Sequence, residues 1–173
     1  MYQQFNKYKI LQVFFDNPNK KFQLRELERL TRISLPSVKN HVNALLKEGV
    51  LTVKKDGVYK SYKSSLSKKY KTLKRNDLLL RLEESGLIKE IEDTFTPNCI
   101  VLYGSAIEGT DDERGDVDIF VQSKKKEFIL TNYEQILNRK ISILFEPDIE
   151  KINNNLKNTL TNGIVISGFL KVI

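Results

Sequence analysis

Residues 102–122 read LYGSAIEGTDDERGDVDIFVQ, and the fold of the carboxy-terminal half turns on them. The apolar run Cys99 to Tyr103 has the length of a buried strand and stops at Gly104-Ser105. Ten residues later, Asp116-Val117-Asp118 opens a second apolar run, Ile119-Phe120-Val121. Strand side chains alternate between faces, so Asp116 and Asp118 are expected to project together while Val117, Ile119 and Val121 face the other way. Two carboxylates on one face of a rigid strand suit Mg²⁺, a hard cation that takes oxygen ligands and leaves positions for substrate phosphates. Gly104 lets the backbone approach closely. The Ser105 hydroxyl and nearby N–H groups can then hold a phosphate tail.

The flanking sequence completes an α/β layer. A helix is predicted over KKKEFILTNYEQILNRK (124–140), a strand over KISILFEP (140–147), a helix over 148–160 and a strand-like run over GIVISGFLKVI (163–173). Asp111, Asp112 and Glu113 read as a solvated turn. The single Cys99 reads as a small apolar residue of the first strand; one cysteine makes neither an internal disulfide nor a Cys-based zinc site.

A strand ending in Gly-Ser, ten residues, then Asp-x-Asp resembles the DNA polymerase β-type nucleotidyltransferase superfamily in its minimal form. The resemblance covers about residues 95–173. It implies Gly104 and Ser105 as the nucleotide-binding turn, Asp116 and Asp118 as metal ligands and catalytic residues, Mg²⁺ or Mn²⁺ as cofactor and NTP as substrate. Active members usually supply a further acid from a later strand. In KISILFEP the positions in phase are Ser142, Leu144 and Glu146, so Glu146, the acid among them, is the candidate third catalytic carboxylate; the plainer alternative is a solvated strand-end acid. Glu108 and Gly115 depart from the family's usual base after the Gly-Ser turn and serine before the first aspartate.

Charge separates the two halves. Residues 1–75 hold 18 Lys and Arg against 5 Asp and Glu, a net of +13, whereas residues 76–173 carry a net of −6. A basic half suits phosphate backbones, because Lys and Arg release condensed counterions on binding. Its pattern is three helices and a hairpin. The first helix candidate lies within 6–16 and the second has Leu24, Leu27 and Leu30 at intervals of three. The third opens at Ser34-Leu35-Pro36, with Ser34 as its cap, and stops at Gly49. Val38, Val42, Leu45 and Leu46 stripe its apolar side. LTVKK and VYKSYK then flank Asp56-Gly57, a tight-hairpin signal. The stretch ELERLTRISLPSVKNHVNALLKEGVLTVKKDGVYKSY (26–62) resembles winged-helix DNA-binding domains of prokaryotic (archaeal or bacterial) regulators. That resemblance implies duplex DNA as a partner, met by Ser37, Lys39, Asn40, Asn43 and Lys47 of the third helix and by Lys54, Lys55 and Lys60 of the hairpin. His41 reads as a polar-face residue.

The expected architecture is two small domains. A winged helix-turn-helix, mainly α with a β-hairpin, spans 1–66; a helical linker spans 67–93, broken at Ser85-Gly86; an α/β nucleotidyltransferase fold with a small mixed sheet spans 94–173. No apolar run approaches the roughly 18 residues of a membrane span, so no membrane partner and a cytoplasmic location are expected. The leucines at 78, 79, 80 and 82 exceed one amphipathic stripe, which leaves a homodimer seam open. The leading expectation is a DNA-binding protein that transfers NMP from NTP to an acceptor hydroxyl. The alternatives are a transcriptional regulator whose domain senses nucleotide without turnover, and an antitoxin-like partner of a toxin-like protein.

Overall fold

A computed structural model describes residues 2–56 and 59–171, with side chains from residue 5 apart from that of Asp56. Contacts divide the chain at Lys74/Arg75 into two units. In the first, α1 (Tyr2–Asp16), α2 (Leu24–Thr31) and α3 (Leu35–Lys47) are followed by the antiparallel strands β1 (Leu51–Asp56) and β2 (Tyr59–Ser64). Ile10, Phe14, Phe22, Leu27, Val38, Val42 and Leu45 fill the core, and an isolated bridge joins Phe22 to Tyr62. Phe14 and Phe22 meet edge to face at 5.2 Å.

Several local expectations are corrected. Ser34 stands at the N-cap of α3, but its side chain caps nothing; the Leu35 N–H instead donates to the Glu28 carboxylate at 3.0 Å. Leu30 is exposed, so the buried side of α2 runs through Leu27 and Thr31. Tyr62 of the hairpin is buried. Gly49 does end α3, with φ +69° and its N–H donating to Leu46. Of the Asp56-Gly57 turn, Gly57 lies outside the described residues, and Asp56 still belongs to β1, paired with Tyr59.

Residues 67–93 serve the cores rather than acting as a mere connector. They form α4 (Lys68–Glu84) and α5 (Leu87–Phe95), separated where Gly86 takes φ +78°. Tyr70 of α4 is buried in the first core, its hydroxyl donating to the Phe14 carbonyl at 2.7 Å. Leu78, Leu82, Leu87, Ile88 and Ile91 belong to the second unit's core.

That unit continues with β3 (Cys99–Tyr103), the one-turn α6 (Ser105–Glu108), β4 (Val117–Val121), α7 (Thr131–Leu137), β5 (Ile141–Phe145), a 3-10 turn at Ile149–Lys151, α8 (Asn154–Thr161) and β6 (Ile164–Gly168). The sheet runs β5-β4-β3-β6, with β4–β5 parallel and the other pairs antiparallel, so it is small and mixed as expected. Val117, Ile119 and Val121 point into one apolar layer, whereas Phe120 joins Cys99, Val101 and Leu160 on the other face. The helix expected over 124–140 is confined to α7. Phe128, ahead of it, packs on Phe95 at 5.3 Å, and Asn138 ends it with φ +53°. Val172 and Ile173, the end of the terminal strand-like run, lie outside the described residues. No helix among the described residues is long and apolar enough to cross a membrane.

Candidate active site

β3 delivers the site because all but its last residue are buried and fixed between β4 and β6. Directly after Tyr103 the chain turns at Gly104, φ +81° and ψ −163°. This conformation suits only glycine, and space forbids a side chain as well. A Cβ at Gly104 would fall on Asp118 Oδ2 and lie 3.3 Å from its Cγ. Glycine is therefore what lets the Asp118 carboxylate lie against the backbone turn. Ser105 follows, exposed, at the head of α6.

Asp116 immediately precedes β4 and is exposed; Asp118 is the second residue of that strand and half-buried. Burial, and then the neighbouring charge of Asp116, push the Asp118 carboxyl above its ordinary range. Burial, and then Asp118, likewise raise the Tyr103 phenol. The two aspartates thus stand close enough to repel. Relief of that repulsion is what an oxygen-seeking cation would bring, and the Gly104 cradle leaves Asp118 room to turn toward one. The donor set fits a divalent metal held by Asp116 and Asp118, with its remaining positions open to phosphate and water.

The pairing of β4 with its neighbours assigns the rest of this row. Asp118 stands opposite Tyr103 on β3 and beside Ser142 on β5. Glu146, expected as the third acid, is not brought to the pair. It lies four residues past Ser142, about 13 Å along the strand at roughly 3.3 Å per residue, and its carboxylate accepts the Asp148 N–H at 3.0 Å. Among the described residues, no group of three His, Cys, Asp or Glu could hold a metal. Glu108 ends α6 exposed, 3.5 Å from the Thr110 hydroxyl.

One supporting feature was invisible in the sequence. Asp111, read there as part of a solvated turn, is buried and ion-paired with Arg139, which is itself largely buried just ahead of β5. The Val117 N–H donates to the Lys140 carbonyl at 2.9 Å. Together these contacts pin the loop that ends in Asp116 to the segment that leads into Ser142. A cavity of about 470 Å³ adjoins this junction, lined among others by Arg114, Gly115, Gln135, Asn138 and Lys140.

In the first unit, Lys39, Asn40, Asn43 and Lys47 of α3 are exposed and Ser37 is half-exposed. Lys54, Lys55 and Lys60 are exposed on the hairpin, where Lys55 stands directly opposite Lys60. His41 is partly buried within α3.

Residues 85–170 match the family model described as polymerase beta, nucleotidyltransferase. The matched segment begins at the α4–α5 break and covers every element of the site. It supports a nucleotidyltransferase domain in the second unit and suggests NMP transfer. Neither the curated proteins nor the solved structures compared with the chain gave a match.

Proposed function

We propose that the second unit binds a divalent metal with NTP and transfers the NMP moiety to an acceptor hydroxyl, while the first unit holds the protein on duplex DNA. The observation that carries the first half is the fit of Gly104 against Asp118, with Asp116 beside it at the end of a buried strand. Gly104-Ser105 offers backbone N–H groups and a hydroxyl to the triphosphate, and Asp116 and Asp118 hold the metal. Mg²⁺, when bound, supplies positive charge to the attacking and leaving oxygens. The Asp111–Arg139 pair keeps the Asp116 loop in register, so the backbone that carries the carboxylates is in place before substrate arrives.

DNA binding rests on the +13 charge of residues 1–75 and on the paired lysines of the hairpin. Like charges set opposite each other across a hairpin oppose its pairing by a few tenths of a kcal/mol. A phosphate backbone beside Lys55 and Lys60 reverses the sign.

A second reading, nucleotide binding without turnover onto other molecules, is favoured by Ser142, which occupies the β5 position beside Asp118. Incubation with Mg²⁺ or Mn²⁺, α-labelled NTPs and candidate hydroxyl acceptors separates the two. Label on an external acceptor that disappears in Asp116→Asn/Asp118→Asn supports transfer; nucleotide binding with no labelled external acceptor supports the second reading.

A further inference from the structure

We propose that Ser142 is a built-in acceptor, so that the domain transfers one nucleoside monophosphate from NTP to its own Ser142 hydroxyl and thereby fills its own site. The proposal rests on the nucleotide-binding reading of Gly104, Ser105, Asp116 and Asp118 and takes the second of the two functional readings, in which no other molecule is labelled. Ser142 is the β5 residue in register with Asp118, one strand spacing away, about 4.8 Å between backbones. It shares a sheet face with Asp118, since Leu144, two residues on, packs in the same small core as Phe120. Of the two hydroxyl residues flanking Asp118 in this row, Tyr103 is half-buried, whereas Ser142 is exposed on an edge strand.

A triphosphate gripped by the Gly104-Ser105 turn beside the carboxylates brings its α-phosphorus to the end of the sheet where this hydroxyl stands. Holding nucleophile and electrophile on one rigid sheet makes the step effectively unimolecular. In bond terms, Ser142 Oγ forms a bond to the α-phosphorus, the bond from that phosphorus to the bridging oxygen breaks, and pyrophosphate leaves with the electron pair. The hydroxyl proton passes to water, to which Ser142 is open. The product is a phosphodiester whose nucleoside lies across the carboxylates, so each chain reacts once.

The test incubates the full chain with Mg²⁺ and each of the four NTPs, then reads intact mass, peptide mapping and melting temperature. Wild type should gain the mass of one NMP, on the peptide containing Ser142, and the modified protein should lose its response to fresh Mg²⁺–NTP. Ser142→Ala should gain nothing while still melting higher with Mg²⁺–NTP, and Ser142→Thr, which keeps a hydroxyl, should be modified. An adduct elsewhere, an adduct that survives in Ser142→Ala, or an unmodified wild type that NTP nevertheless stabilises would overturn the self-transfer proposal alone. A wild type neither modified nor stabilised by any NTP would overturn the nucleotide-binding reading as well.

Discussion

The hairpin of the first unit and the β3–β4 end of the second both hold like charges side by side, with opposite signs. Lys55 faces Lys60 in full solvent, whereas Asp118 is half-buried beside Asp116. Water and salt screen the lysines, so that pair asks little of the fold and is free to vary. Burial is the larger cause of the Asp118 shift, so its charge opposes folding until something neutralises it. The contrast is between a solvent-screened surface charge and a fixed, partly buried pair of carboxylates.

Gly104→Ala should break the fixed site hardest. It forces a Cβ onto Asp118 and an alanine into φ +81°, which should lower stability by about 1–3 kcal/mol and remove the response to Mg²⁺–NTP. Urea unfolding and nucleotide titration of the full chain check both parts. The hairpin should respond by degrees. Replacing Lys54, Lys55 and Lys60 with Ala should flatten the dependence of log K for duplex DNA on log salt, by roughly 0.9 for each phosphate no longer neutralised. Unchanged slopes would show that these lysines touch no phosphate.

The smallest effect is in the pH dependence. The Asp118 carboxyl titrates above its unfolded range, so the folded state binds the proton more tightly. Its contribution is fully present below the unfolded value and is lost as pH rises through the folded one. Glu48 shifts the other way, chiefly because its side chain bonds Lys7; the difference between wild type and Asp118→Asn isolates the Asp118 part. Melting curves across the acid range should therefore show wild type losing stability relative to Asp118→Asn as pH rises. The opposite slope would mean that Asp118 is held by a favourable partner.

The paired aspartates were legible because strand alternation is local: Val117 and Ile119 must enter a core, so Asp116 and Asp118 must leave it. The third position was not. Ser142, Leu144 and Glu146 are all in phase in the sequence, and only the parallel register of β5 with β4 decides that Ser142 stands beside Asp118. The burial of Asp111 was equally hidden, since its partner Arg139 lies beyond β4 and α7 in sequence. The helix expected over 124–140 fell short because Phe128 was claimed by Phe95, a tertiary contact that local periodicity does not register. In the first unit, three helices and a hairpin followed from pattern, but Glu28 rather than Ser34 receives the first N–H of α3.

The most direct measurement is the melting temperature of wild type and of Asp116→Asn/Asp118→Asn, each with and without Mg²⁺–NTP. A ligand that binds only the folded state at a hundred times its Kd stabilises by about 2.7 kcal/mol. Wild type should therefore melt higher with Mg²⁺–NTP. The double variant should show no such rise, and on its own should be as stable as wild type or more so, because the repulsion has gone. A wild type unmoved by nucleotide, or a destabilised variant that still responds, would contradict the account.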